Sequence, residues 1–324
     1  MQINLKGEAR NKYSLVNILI SYRTILILLL FILVFTAINS IFLNPTNLLN
    51  MLKRMSYVAV TAFSMTFVIT LGGLDLSVGS TAAIVGVALA LQLYHGVPLA
   101  LAILLCLIIA VALGAVNGVI SVKGKIEPFL VTLASMYIYR GIALVLAGGK
   151  PIPIVNDSFT NIFGDGTLFN VVPIPVLIMV ALFAVTWFLF KKTKYGFYIR
   201  SIGGNTEAAK VAGISIDRVK IVTYMFSGAF ASVAGLILAA LMSSGLPDIA
   251  SDLALDAIAA VILGGTAIAG GVGRIWGTIG GTLIMATLNS GLSLLGAQYP
   301  TQILVKGLVI ILAVLLDNVF KFKS

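Results

Sequence analysis

Apolar runs of roughly twenty residues follow one another along this chain with only short polar breaks between them. A hydrocarbon core about 30 Å thick takes about twenty residues to cross as a helix, so each run is a candidate span. The runs predict helices near 24–43, 56–73, 78–94, 97–121, 128–147, 172–190, 219–241, 254–269, 275–296 and 302–320. The expected fold is therefore an all-α membrane protein with about ten transmembrane helices, in a single domain spanning 1–324. Composition agrees: 60% of the 324 residues are apolar and 10% charged, against roughly 45–50% and 25% in soluble domains. A water-facing surface cannot be built from so few charges, and no stretch reads as a second, soluble domain.

The charges that remain are placed asymmetrically. Lys6, Arg10, Lys12 and Arg23 precede the first run, which is long enough to span and lacks a small-x-small cleavage site, so an uncleaved first helix is expected rather than a signal peptide. With the N-terminus inside, Lys123, Lys125, Lys191, Lys192, Lys194, Arg200, Lys210, Arg218, Lys220, Arg274, Lys321 and Lys323 also fall on the cytoplasmic side. The opposite segment 242–253 holds only Asp248 and Asp252. Basic residues retained on one side are what the positive-inside rule requires, and both termini are then cytoplasmic. Lys53 and Arg54 break the pattern and are assigned to an interfacial turn. The net charge of +10 thus orients loops in a bilayer and does not indicate nucleic acid. The largest segments between runs are 148–171, a proline-bearing stretch read as an ordered, non-helical outer cap, and 191–218 inside.

Leu71-Gly72-Gly73 followed by Val78-Gly79-Ser80 is echoed by Leu263-Gly264-Gly265 followed by Val272-Gly273-Arg274. An odd number of helices separates the two copies, so they enter the membrane in opposite directions. This predicts an inverted five-plus-five pseudo-repeat, with halves about 24–147 and 172–320 and broken, glycine-rich helices where solute passes. Gly273, Gly277 and Gly281, and likewise Ala231, Gly235 and Ala239, recur every fourth residue as smooth packing stripes.

Several chemistries are excluded. Gly124-Lys125 and Gly149-Lys150 are followed by Ile126 and Pro151, so no phosphate-binding loop exists and the chain is not its own ATPase. The lone histidine, His95, reads as a solvated loop residue, and the lone cysteine, Cys106, lies inside an apolar run; neither a catalytic triad nor a metal cluster can be assembled. No catalytic residue, metal or cofactor is expected.

The segment after Arg200 carries the most specific local signal. Asn205 is a good helix N-cap, Glu207 suits the first turn, and Gly213 suits a left-handed stop, giving a two-turn helix outside the membrane; Ser215 can cap the helix that follows, with Asp217 in its first turn. So short a helix gains little by itself and is best explained as a knob gripped by another protein.

Glu207-Ala208-Ala209 followed by Gly213 resembles the coupling loop of ATP-binding-cassette importer permeases. Gly203-Gly204-Asn205 through Ala212-Gly213-Ile214 is similar to that loop in ribose-type sugar permeases in particular. The stretches from Gly72 to Ser80 and from Leu255 to Thr266 extend the resemblance, which runs from about Asn44 to Asn318. It implies a bacterial inner-membrane permease subunit that pairs with a second copy of itself, with cytoplasmic ATPase domains and with an extracytoplasmic sugar-binding protein. It also implies that the coupling loop, about 191–219, seats in the ATPase.

Intramembrane polar groups are few. Asp75 and Ser77 follow the first Gly-Gly, where Asp75 can cap the third helix or take part in gating. Asp256 begins the eighth run and reads as a cap, Lys306 as a snorkelling side chain, and Asp317 as solvated. Asn289 sits mid-helix in apolar surroundings, where an amide needs a partner or a wet cavity. Gly72, Gly73, Asp75, Ser77, Asp256, Gly264, Gly265 and Asn289 are the candidate pathway residues. An ion-coupled secondary transporter using Asp75 or Asp256 as its proton site is the alternative.

Overall fold

A computed structural model describes residues 24–321, with side chains as far as Leu312; Lys6, Arg10, Lys12, Arg23 and Lys323, and the side chain of Asp317, lie outside the described residues. Each predicted apolar run carries a helix. The helices are α1 (Thr24–Ile38), α2 (Pro45–Thr70), α3 (Val78–Tyr94), α4 (Leu99–Lys123) and α5 (Pro128–Ala147). Then come the single turn α6 (Asp157–Thr160), α7 (Ile174–Lys192), α8 (Lys194–Gly204), α9 (Thr206–Val211), α10 (Ile216–Leu241), α11 (Leu253–Leu263), α12 (Ile275–Leu294) and α13 (Tyr299–Lys321).

Three boundaries differ from expectation, each for a local reason. The first run breaks at Asn39, whose side chain accepts from the Ile41 N–H at 3.0 Å and turns the chain into a 3-10 turn at Ser40–Leu43. Then α2 starts at Pro45 rather than near 56, because Asn44 accepts from the Thr46 N–H at 2.9 Å and Pro45 occupies the first turn, where its missing N–H costs nothing. Lys53 and Arg54 therefore sit on a helix and not on an interfacial turn. At the other extreme α11 stops at Leu263 rather than 269. Gly265 takes a φ of +86°, and the Thr266 N–H donates back to the Val261 carbonyl at 3.2 Å, a left-handed stop that only glycine adopts without strain.

Four helices among the described residues, α4, α5, α7 and α10, are long and apolar enough to cross a membrane by length and composition. α4 turns Leu101, Leu104 and Ile108 outward, α5 Ile138 and Val145, and α13 Leu304, Leu308 and Ile311. A surface of this kind is stable against lipid and not against water. Inside the ring, α2 is buried on every side from Val58 through Thr70. Its interior hydroxyls are satisfied within the helix: Thr61 donates to the Tyr57 carbonyl at 3.0 Å, Thr66 to Ala62 at 2.9 Å and Thr70 to Thr66 at 2.6 Å. Polar side chains can therefore line a buried helix without an open donor.

Most of the small-residue stripes pack helices together, as their spacing predicts, but Gly273 falls before α12, against the Thr70 hydroxyl and the Phe190 ring. Gly277 and Gly281 of α12 lie against the Gly264 and Ala260 carbonyls of α11, and Gly235 of α10 lies against Ala82 of α3. A third crossing was not anticipated: Gly114 and Gly118 of α4 rest on the α10 backbone at Tyr224 and Ile221, and Gly228 on Ala110. A methyl group at any of these crossings would meet backbone atoms, so the helices approach as closely as their chains allow.

The segment 148–173 is ordered but not free of helix. It holds α6, capped by Asn156 through the Phe159 N–H at 2.9 Å, and a π turn at Asn161–Asp165. The strand β1 (Ile152–Pro153) pairs antiparallel with β4 (Ser244–Gly245), and β2 (Thr167–Leu168) pairs with β3 (Val172–Pro173). An ion pair between Asp165 and Lys53 ties this cap to α2.

Candidate functional site

The knob predicted after Arg200 is present, and a helix precedes it. α7 ends at Lys192 and Thr193 is extended. α8 then buries Gly196 against the Phe190 backbone, and Ile199 and Ile202 in a cluster with Phe67, Leu71, Phe190, Ala209, Val219 and Ile275. Arg200 fixes it by donating to the Phe190 carbonyl at 2.7 Å with its guanidinium 5.1 Å from that ring. Burial pushes the Tyr195 phenol up to about 12, so it stays neutral and bonds to the Thr223 hydroxyl at 2.9 Å. Asn205 then caps α9, accepting from the Ala208 N–H at 2.9 Å. Gly213, at φ +79°, closes it: its N–H donates to Lys210 at 3.0 Å and the Ile214 N–H to Ala209 at 3.1 Å. Ser215 holds the N-cap position of α10, but its side chain makes no capping bond.

Only Ala209 of α9 turns inward, at 4% exposure; Glu207, Ala208, Lys210 and Val211 face outward, Val211 at 89%. Gly203 and Gly204 are the last residues of α8 rather than loop. Gly203 lies against the Thr70 carbonyl at the end of α2 and against Gly271, and the Gly271 N–H donates to that same carbonyl at 2.8 Å. The knob is thereby in packed contact with the end of α2 and with the loop that leads into α12.

The candidate pathway residues separate into two places. Gly72, with φ +91°, and Gly73 end α2, and Gly73 lies against the Tyr224 hydroxyl. Asp75 follows, 1% exposed. One carboxylate oxygen accepts from the Ser77 N–H at 3.0 Å and the Ser77 hydroxyl at 2.6 Å, the other from the Ser227 hydroxyl at 2.7 Å. Asn117 donates to the Ser77 hydroxyl at 2.9 Å, and Tyr139 to the Asn117 carbonyl oxygen at 2.9 Å. Asp75 thus acts from two residues before Ser77, the N-cap of α3, and binds that helix to α4, α5 and α10. Gly264 and Gly265 terminate α11 against α12.

Asp256 and Asn289 lie elsewhere, on a polar cavity of about 370 Å³ between the starts of α2, α11 and α13 and the end of α12. Asp256 is not a cap. It pairs with the Lys306 ammonium at 3.0 Å, both side chains only 14% exposed, so Lys306 is a partner and not a snorkelling chain. The Asn289 carbonyl oxygen is buried without a hydrogen-bond donor. Asn47, Asn50, Arg54, Tyr57, Thr282, Ser290, Ser293 and Gln302 complete the polar lining, beside apolar side chains that include Met51, Met55, Val58 and Met285. Sequence reading assigned Arg54 to an interfacial turn and passed over the others, although Asn47, Asn50 and Arg54 recur at helical spacing, as do Gln302 and Lys306.

A bundle of long apolar helices with outward apolar faces, a polar cavity and a short capped helix exposed at one end fits a polytopic membrane protein. The chain belongs to the family of branched-chain amino acid transport system permease components, whose model matches residues 47–314. It is 43% identical to the ribose import permease protein of Bacillus subtilis, with 90% of each chain covered. It is 41% identical to the ribose import permease protein of Escherichia coli over 93% of this chain and 94% of that one. It is 31% identical to the xylose transport system permease protein of Escherichia coli over 87% of each. No solved structure matches the chain.

Proposed function

We propose that this chain is the membrane-spanning permease subunit of an ATP-binding-cassette importer for a ribose-type sugar, one permease domain in the bacterial inner membrane with both termini cytoplasmic. The observation that carries the reading is α9: a six-residue helix, about 9 Å long by rise per residue, stopped at both ends and offering Glu207, Ala208, Lys210 and Val211 to a partner. The ribose and xylose permeases among its relatives supply the substrate class. Its partners are a second copy of itself, a cytoplasmic ATPase and an extracytoplasmic sugar-binding protein. Force applied at α9 reaches α8 through Ala209 and Ile202, and reaches α2 and the loop before α12 through Gly203. Gly203, Gly204, Asn205, Glu207, Ala208, Ala209 and Gly213 form the coupling element. The path runs past the helix breaks at Gly72, Gly73, Asp75, Ser77, Gly264 and Gly265 and past Asp256 and Asn289. Support for an inverted repeat comes from the matched left-handed stops, φ +91° at Gly72 and +86° at Gly265.

Asp256 is held by Lys306, and Asp75 by three donors from Ser77 and Ser227, which disfavours either as the freely exchanging proton site of an ion-coupled carrier. The test is Glu207→Arg: reversing a charge at a partner interface costs several kcal/mol, so ATP-driven uptake falls by about tenfold or more while the protein still inserts. Unchanged uptake by that variant rejects the reading, and so does uptake by vesicles that contain no ATPase.

A further inference from the structure

We infer that the cavity between α2, α11, α12 and α13 is a resting site for one polyhydroxylated solute, with Asn289 and the Asp256–Lys306 pair as its recognition groups. The inference rests on the importer reading and goes further by giving the sugar a defined station inside the permease. The cavity, about 370 Å³, falls within the range of small-ligand clefts, about 300–1,000 Å³. Burying an amide oxygen with no donor is costly, and such an orphan calls for an explanation. Asn289 carries one, on the wall of this cavity. A turn of the amide toward the cavity would let a hydroxyl of a bound solute supply the missing donor.

The lining also selects the ligand's chemistry. Lys306 is already matched by Asp256 at 3.0 Å, and Arg54, on the more exposed part of the lining, adds one further positive charge, so nothing here draws in a free cation. A paired ammonium and carboxylate still have unused donor and acceptor capacity, and a sugar hydroxyl both donates and accepts. The methionine and valine side chains offer a surface to the C–H face of a ring. A pocket that combines donors, acceptors and apolar side chains in this way fits a polyhydroxylated solute better than a cation or an apolar solute.

The site accounts for delivery without high affinity. The same α2 whose end rests against Gly203 also supplies Asn47, Asn50 and Arg54 to the cavity wall, so movement of that helix alters the wall and releases the sugar.

Two measurements on the permease assembled with its ATPase and binding protein in liposomes test this. Asn289→Leu is expected to lower the sugar moved per ATP hydrolysed by about tenfold, the loss of one buried hydrogen bond, with Asn289→Ser recovering part of it. In Ser293→Cys, labelling by a small thiol reagent without ATP is expected to slow in millimolar D-ribose and not in equal choline chloride. Cys106 is buried and gives little background. A wild-type sugar-to-ATP ratio in Asn289→Leu, or labelling of Ser293→Cys that ignores D-ribose, overturns the inference. Failure of the wild-type assembly to hydrolyse ATP in response to loaded binding protein refutes the importer reading instead, and the labelling arm still decides the site.

Discussion

At the scale of single residues, the polar groups of this protein matter through what would be orphaned without them. Asp75 accepts three hydrogen bonds in a nearly dry position. Replacing it with leucine preserves volume roughly but leaves the Ser77 and Ser227 hydroxyls with no acceptor. The cost is about 1–3 kcal/mol, read as a lower unfolding midpoint of the purified protein in detergent; an unchanged midpoint would show that the network is not holding α3 to α10. Lys306→Met strands the Asp256 carboxylate. A fully buried pair broken in this way loses roughly 3–5 kcal/mol, and with 14% of each side chain exposed about 2 kcal/mol is expected. The double variant Lys306→Met, Asp256→Asn should regain much of that, because the penalty comes from the unpaired charge. A double variant as unstable as the single one would place the cost in packing.

At the scale of elements, α9 is the critical case, because six residues cannot sustain a helix by propensity. Its stability comes from its ends and from Ala209. Asn205→Ala removes the cap at a cost of about 1 kcal/mol, which lowers the helical population about fivefold. Sugar uptake should fall while membrane insertion and the unfolding midpoint hold, and an equal loss in both would mean that α9 stabilises the fold rather than transmits force. These caps were legible because Asn205, Glu207 and Gly213 act locally. α8 was not, because its anchoring residues, Ile199 and Ile202, find their partners on α2, α7 and α12, far away in sequence. The start of α2 was signalled by Asn44-Pro45, but the polar stretch Thr46–Arg54 fell below what a span requires, since in isolation Asn47, Asn50 and Arg54 look like loop. They are helical because they face a cavity assembled from four helices. The stop of α11 shows the opposite failure: Gly264-Gly265 was recognised, yet the apolar residues beyond it extended the expected span.

On the whole-molecule scale, the bundle has two unlike ends joined by α2, which at 26 residues is about 39 Å long by rise per residue and is buried along its second half. One end carries α8 and α9 with Lys191, Lys192, Lys194, Lys210 and Arg218; the other carries the strands and α6 with Asp157, Asp165, Asp248 and Asp252. Basic residues are retained on the cytoplasmic side, so the knob should face the ATP-containing compartment and the paired strands the binding protein. Two exposed valines report this directly, Val211 on α9 at 89% and Val155 beside β1 at 95%, against a buried native thiol at Cys106. With a membrane-impermeant maleimide, Val155→Cys should label in right-side-out vesicles and Val211→Cys only in inverted ones. The reverse pattern would put α9 beyond the reach of any cytoplasmic ATPase and remove the mechanical basis of coupling. The expected pattern would mean that a force applied at α9 and a sugar arriving at the cavity act on opposite ends of one helix. That arrangement lets hydrolysis on one side of the membrane control release from the other.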